Sequence, residues 1–504
     1  MRKIVLGIGI CCLLYGCYKD KGNDDYVPVN EIVIRGISAL YQKNAGEILE
    51  IKPEVYYSYD TMAPKHWAYR WKIQRGKIIG NQQDLRYLAD TIGEFECYFS
   101  VKDSVNGIEY VKEFMLRVTF RYNKGWMILS EKDQISHLSF IQERSRGKGT
   151  EYTAYPDVYE VENGDVLGSS PVKLREHWPG SDYSEAAGEV MVMQRGGQGC
   201  VELNDVSFRK VMHTRDEFLE KNYPPGFVIK DALHGIWSGY LLSEDGGLYF
   251  RKYLTNEILH SGAFMQFRAA YGGEELQVDR LVLTDYQKVP FFLLYDERHR
   301  RFLWISDAEK DATRIEKLYY REERPAAFMD ITGLPSGVDL SYIGYLSEEY
   351  KSCGFLVLLR RNDEVIVQTF SVTLDREIIN PYAVKFKHPD LLDGRNVMTL
   401  LPKRGYLLFS GGMDQRGLYC YDPVSNDIRQ VYLFDSPVCS IAYNSDVTDR
   451  TNTRIGVGLE NGTFMVLDAS SDSIMTGLVP LYTSATSFGR IVDVVYKMQL
   501  KSAL

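Results

Sequence analysis

Apolar residues in this chain fall in short runs bounded by Gly, Asp, Asn and Ser, not at the three-and-four spacing of amphipathic helices. Between residues 27 and 121 these runs alternate with a period near two, as in Glu31-Ile32-Val33-Ile34-Arg35, Ala68-Tyr69-Arg70-Trp71-Lys72-Ile73 and residues 93–101. Such alternation predicts strands with one buried face. Asn106-Gly107 lies between two of them and signals a hairpin. Together these strands predict an immunoglobulin-like sandwich with Trp71 in its core.

From residue 122 onward a different unit recurs: an apolar strand, a polar or Gly/Asp turn, then a second strand. The first strands begin near residues 126, 190, 239, 291, 355, 405 and 454, at intervals of 49 to 64 residues. Propeller blades run about 40–50 residues plus loop insertions. The spacing therefore predicts an all-β chain: a sandwich over 27–121, then a β-propeller of seven blades over 122–504, with six or eight blades left open. Residues 489–496 supply a further strand to close the ring, which removes the exposed edges of an open array. One short helix is expected over Thr214–Lys221, where Thr214 and Glu217 have capping-box spacing and Pro224-Pro225 stops the segment.

The 504 residues are 45% hydrophobic and 25% charged, enough apolar material for full cores. Lys and Arg number 59 against 68 Asp and Glu, a net charge of −9. That balance excludes the concentrated cationic surface of a nucleic-acid-binding protein and the polybasic patch of a membrane-surface protein.

Met1-Arg2-Lys3 followed by an uncharged run over 4–16 reads as a signal peptide, too short for the ~20 residues of a membrane span. Leu14-Tyr15-Gly16-Cys17 resembles a bacterial lipobox, which implies acylation at Cys17 and anchoring in the bilayer through its lipid. Residues 17–26 then form a polar tether, and Asp24-Asp25 fits display on the outer face of the outer membrane.

Tyr69-Arg70-Trp71, Asp84-Leu85-Arg86-Tyr87-Leu88, Gly93-Glu94-Phe95 and Val101-Lys102-Asp103 with Gly107 occur in that order. With Cys17-Tyr18-Lys19-Asp20 before them, they resemble the PKD-like lipoproteins of Gram-negative outer-membrane nutrient-uptake systems. The resemblance implies a spacer or binding module over 27–121 without catalytic residues. It also implies an outer-membrane transporter and neighbouring surface lipoproteins as partners, with a glycan or peptide as ligand.

Motifs for catalysis are missing: there is no HExxH, GxSxG, GxxxxGK[ST] or GxGxxG. The eight His are scattered, and the five Cys after Cys17 form no CxxC pair. No catalytic residue, metal site or cofactor is therefore expected, although ligands from different blades could still converge. Ser243-Glu244-Asp245-Gly246-Gly247-Leu248-Tyr249-Phe250 resembles the Asp-box of sialidase-type propellers, in that family a structural turn. Arg298-His299-Arg300-Arg301 in a predicted hairpin turn and Arg144-Ser145-Arg146-Gly147-Lys148 in a loop read as solvated charges. Aromatic residues in the insertions are the candidates for ligand contact: Trp178 and Tyr183 in one connection, Tyr223 in the next, and Trp237 shortly after. The sequence thus predicts a non-catalytic, lipid-anchored accessory protein. The alternatives are a propeller hydrolase or lyase with convergent carboxylates, and a protein-docking platform.

Overall fold

The computed structural model describes residues 30–498 apart from 75, 90, 147–148, 179–187, 285–288, 311–313, 350 and 446–451. Cys17, its tether and Tyr183 lie outside the described residues. The chain divides into two compact units, Met1–Val118 and Thr119–Leu504.

In the first unit a five-stranded sheet runs in the order Leu40–Asn44, Glu109–Thr119, Gly93–Asp103, Trp67–Ile73, Lys77–Gly80. Two further ladders, Ile32–Arg35 with Glu54–Tyr57 and Glu47–Ile51 with Leu85–Ala89, complete the strands. The alternation read from the sequence appears directly: Trp71 and Ile73 are buried while Lys72 is not. Trp71 packs its ring 4.2 Å from Phe99 and donates from Nε1 to Gln82 O at 2.9 Å. That single bond satisfies the only polar atom the side chain takes into the core. At the expected hairpin, Lys102 pairs with Glu109 across a turn in which Gly107 has φ 76°.

The second unit is a β-propeller. Among the described residues it contains seven sheets of three to five strands, plus a two-stranded ladder at Ala270–Tyr271 and Glu274–Glu275. The inner strands of the second to seventh sheets are Pro171–His177, Ile229–His234, Val278–Val282, Asp339–Glu349, Met398–Leu401 and Val438–Tyr443. The first sheet takes its inner strand, Arg490–Lys497, from the end of the chain, pairing it antiparallel to Gly125–Lys132. Each inner strand touches the next around a closed circuit, including Val438–Tyr443 to Arg490–Lys497 and Arg490–Lys497 to Pro171–His177.

The apolar runs recognised as first strands are in fact the second strands of their sheets. Glu189–Gln194, Ser238–Ser243 and Phe291–Asp296 are buried at every residue, because each is packed between neighbouring sheets on both faces. The inner strands carry charge instead. Lys173 and Arg175 bind Asp231 on the next sheet, and Lys230 binds Asp279 on the one after at 2.8 Å. Arg280 donates to the carbonyls of Leu340 and Ser341 on the fifth sheet. Asp493 accepts from Leu174 N at 2.9 Å and from Ser440 Oγ at 3.2 Å, so the closing strand is tied to both neighbours.

The helix expected at Thr214 is two 3₁₀ turns, Thr214–Glu217 and Leu219–Lys221. Thr214 caps nothing; its hydroxyl donates to Glu202 at 2.7 Å, and Glu217 turns inward to Arg251. Tertiary partners took both side chains that the capping box required. The Asp-box-like segment is a turn, with Gly246 at φ 82° and Asp245 accepting from Gly247 N at 3.2 Å. The Arg298–Arg301 charges are partnered within the fold: Asp296 takes His299 at 2.9 Å and Arg301 at 3.0 Å. Arg144 lies within the strand Ile135–Arg146, not in the expected loop. The described cysteines are all free, and Cys97, Cys200, Cys353 and Cys420 are buried.

Candidate functional site

Two histidines mark the place where the second and third sheets meet. His177 ends one inner strand and His234 ends the next, and their rings stack at 3.9 Å with 9° between planes. His234 is held on both edges, by Tyr253 Oη at 2.9 Å and Met191 Sδ at 3.1 Å. Burial holds His177 neutral, its pKa drawn down to about 4, and likewise pulls His234 well below the usual value.

Around them lies a buried ionic cluster. Glu189 begins the second strand of its sheet, Glu202 sits on the third strand, and Glu217 comes from the turn that follows. Arg251 projects from the third sheet with no exposure at all, and His260 arrives from the loop beyond it. Arg251 pairs with Glu217 and places its guanidinium 4.4 Å from the Phe264 ring centre. His260 bridges two carboxylates, through Nδ1 to Glu217 at 2.5 Å and through Nε2 to Glu189 at 2.9 Å.

The charges order themselves accordingly. Burial, reinforced by the charge of Glu217, pushes the Glu202 carboxyl well above its usual range, so it holds a proton and shares it with Glu217. Burial acts on Glu217 in the same direction, but Arg251 and His260 outweigh it and keep that carboxylate ionised. His260 is opposed by burial, yet its two carboxylate bonds raise it to about 9. Two carboxylic groups of opposite protonation therefore meet in a dry site, one of the arrangements that tunes acid–base groups.

The aromatic candidates occupy other roles. Trp178 is only 6% exposed and packs on Phe120, Val206 and Met498, while its indole also interacts with Asp205. It borders a crevice with Gly235, Ile236 and Tyr253 that is too tight to admit a water molecule. Trp178 thus presents no open face for stacking, because the core between sheets claimed its ring. Tyr223 is half-buried in a separate cluster beside Phe218 and Phe227, and its hydroxyl donates to Phe227 O at 3.1 Å. Trp237 is half-buried, and its backbone N–H donates to Asp307 Oδ1 at 3.2 Å. Of the described candidates, none shares the ionic cluster, although Trp178 and Trp237 lie within three residues of its stacked histidines.

The cluster itself went unread in the sequence, its members being spread over residues 177–260 at irregular spacing. One signal was available: Glu202 interrupts the apolar strand Cys200-Val201-Glu202-Leu203, where an unpaired charge would be costly.

A PKD-like family profile matches residues 17–171, which starts at Cys17 and runs past Val118 through the first sheet of the propeller. No curated protein matches the chain. Among solved structures, a quinonprotein alcohol dehydrogenase-like protein from Bacteroides thetaiotaomicron is 12% identical, with 92% of this chain and 97% of that one covered and a TM-score of 0.41. A DUF4784 family protein from Bacteroides caccae is 10% identical over 93% of this chain and 99% of that one, with a TM-score of 0.31. The Cps50 (Swd1) β-propeller domain of Myceliophteria thermophila is 11% identical over 66% of this chain and 91% of its own, with a TM-score of 0.38. At such identities and TM-scores these likenesses say nothing about activity or ligand.

Proposed function

We propose that the chain is a lipid-anchored accessory protein of the outer membrane, in which a PKD-like unit carries a non-catalytic propeller that captures glycan or peptide ligands for a neighbouring transporter. The observation that carries this reading is Leu14-Tyr15-Gly16-Cys17, placed where the PKD-like match begins. Acyl chains on Cys17 supply the anchor in this reading; among the described residues no helix is long and apolar enough to cross a membrane.

The enzymatic alternative is less well supported. Glycosidic carboxylates work about 5–9.5 Å apart with room for substrate or water between them. Glu202 and Glu217 instead share a proton, and both are buried.

Membrane fractionation of cells expressing the chain and its Cys17→Ala variant tests the anchor; the variant is expected in the soluble fraction. Unchanged membrane association would overturn it. Protease shaving of intact cells is expected to digest the chain, and full protection would place it on the periplasmic face. Calorimetry of the Cys17→Ala chain against polysaccharides and peptides, with product analysis of each hit, is expected to show binding without turnover.

A further inference from the structure

Inside the ionic cluster, the polar groups left over share one location. His177 is 2% exposed, and neither ring nitrogen has a hydrogen-bond partner among the described residues. A neutral imidazole carries one donor and one acceptor, and leaving both unmet in a dry interior is costly. Glu202 Oε2 and Glu217 Oε2 are buried beside it, with only the proton that the two carboxyls share between them.

These groups converge. Ligating atoms of His177, Glu189 and Glu202 all lie within 4.8 Å of one another, and those of Glu202, Glu217 and His260 meet the same limit. Each carboxylate is oriented by a donor on a neighbouring side chain: Thr214 on Glu202 Oε1 at 2.7 Å, His260 on Glu189, and Arg251 on Glu217 Oε1. Outer hydrogen bonds of this kind are what fix metal ligands in position.

We propose that His177, Glu189 and Glu202 form a binding site for a single divalent transition ion of the zinc class, with the Glu217 carboxyl next to Glu202. One imidazole nitrogen with carboxylate oxygens suits Zn²⁺ better than Ca²⁺ or Mg²⁺, which take oxygen ligands throughout. His177, Glu189 and Glu202 belong to the second sheet, while Glu217 and its partners Arg251 and His260 belong to the following turn and the third sheet. The ion would therefore brace the second sheet where it faces Arg251 and His260, a structural role independent of what the propeller captures.

The test uses the full chain carrying Cys17→Ala, stripped with dipicolinate and titrated with Zn²⁺ in excess Ca²⁺ and Mg²⁺. One equivalent of zinc retained per chain, with a rise in Tm, is the expected result. Glu202→Gln and His177→Gln are each expected to weaken zinc binding by at least about 100-fold, and Thr214→Val, which leaves every ligand in place, by about 10-fold. A Co²⁺-loaded parent chain should show the ligand-field absorption of a nitrogen–oxygen site, a readout that needs no variant. No metal retained by the parent, equal binding by the Glu202 and His177 variants, or preference for Ca²⁺ or Mg²⁺ would each overturn the proposal. In the first case the cluster is a proton-sharing Glu202–Glu217 pair only.

Discussion

Arg175 and Asp231, on the inner strands of adjacent sheets, are joined by a two-pronged ion pair: Nε to Oδ1 at 2.8 Å and Nη2 to Oδ2 at 2.9 Å. Lys173 closes on the same carboxylate at 2.7 Å. Burial raises the Asp231 pKa, but the two cations overcome it and hold the group far below the usual carboxylate range. Asp231→Ala leaves both cations without their carboxylate. A loss of about 3 kcal/mol is expected in urea unfolding, the scale for breaking one partner of a buried pair.

The pair of Arg251 and Glu217 is drier still. Arg251→Met leaves Glu217 buried with only His260 to compensate it, and a destabilisation of about 3–5 kcal/mol is expected. Adding Glu217→Leu to that variant should recover part of the loss, since an apolar pair needs no desolvation of charge. A double-mutant cycle on denaturant midpoints measures the coupling.

Asp307 gives a pH signature. It accepts from Ser238 Oγ at 2.7 Å and from the N–H groups of Ile236 and Trp237, yet burial dominates and raises its carboxyl to about 6. The folded chain then holds that proton more tightly than the unfolded one. Its contribution is fully present below about pH 4 and is lost as pH rises through 6, a change of about 3 kcal/mol. The stability difference between the parent chain and Asp307→Asn should shift by that amount between pH 4 and 7. A flat difference would show that Asp307 titrates at its ordinary value.

In the first unit, Trp71→Ala removes the side chain that packs against both Phe99 and Phe114. A loss of about 3–5 kcal/mol is expected, confined to the sandwich. Calorimetry should show its transition lowered while that of the propeller stays in place.

The sandwich was legible in the sequence because its strands are buried on one face, so burial writes an alternation of period two. The propeller was legible through its middle strands alone. Runs such as Phe291-Phe292-Leu293-Leu294-Tyr295 are apolar throughout because sheets cover both faces. Inner strands such as Pro171–His177, where Lys173 and Arg175 pair with Asp231 on the next sheet, leave no hydrophobic period to read.

By itself, then, the sequence determined where apolar surface must be buried: an N-terminal sandwich, a train of repeated sheets, and a last strand available for closure. Only the tertiary structure decided which polar groups meet. Glu189, Glu202, Glu217 and His260 are far apart along the chain, and they come together because ring closure stacks the second sheet on the third. Trp178 likewise looked available for ligand until packing buried it. Burial follows from local pattern, whereas the partner of a buried charge is set by which sheets the ring places side by side.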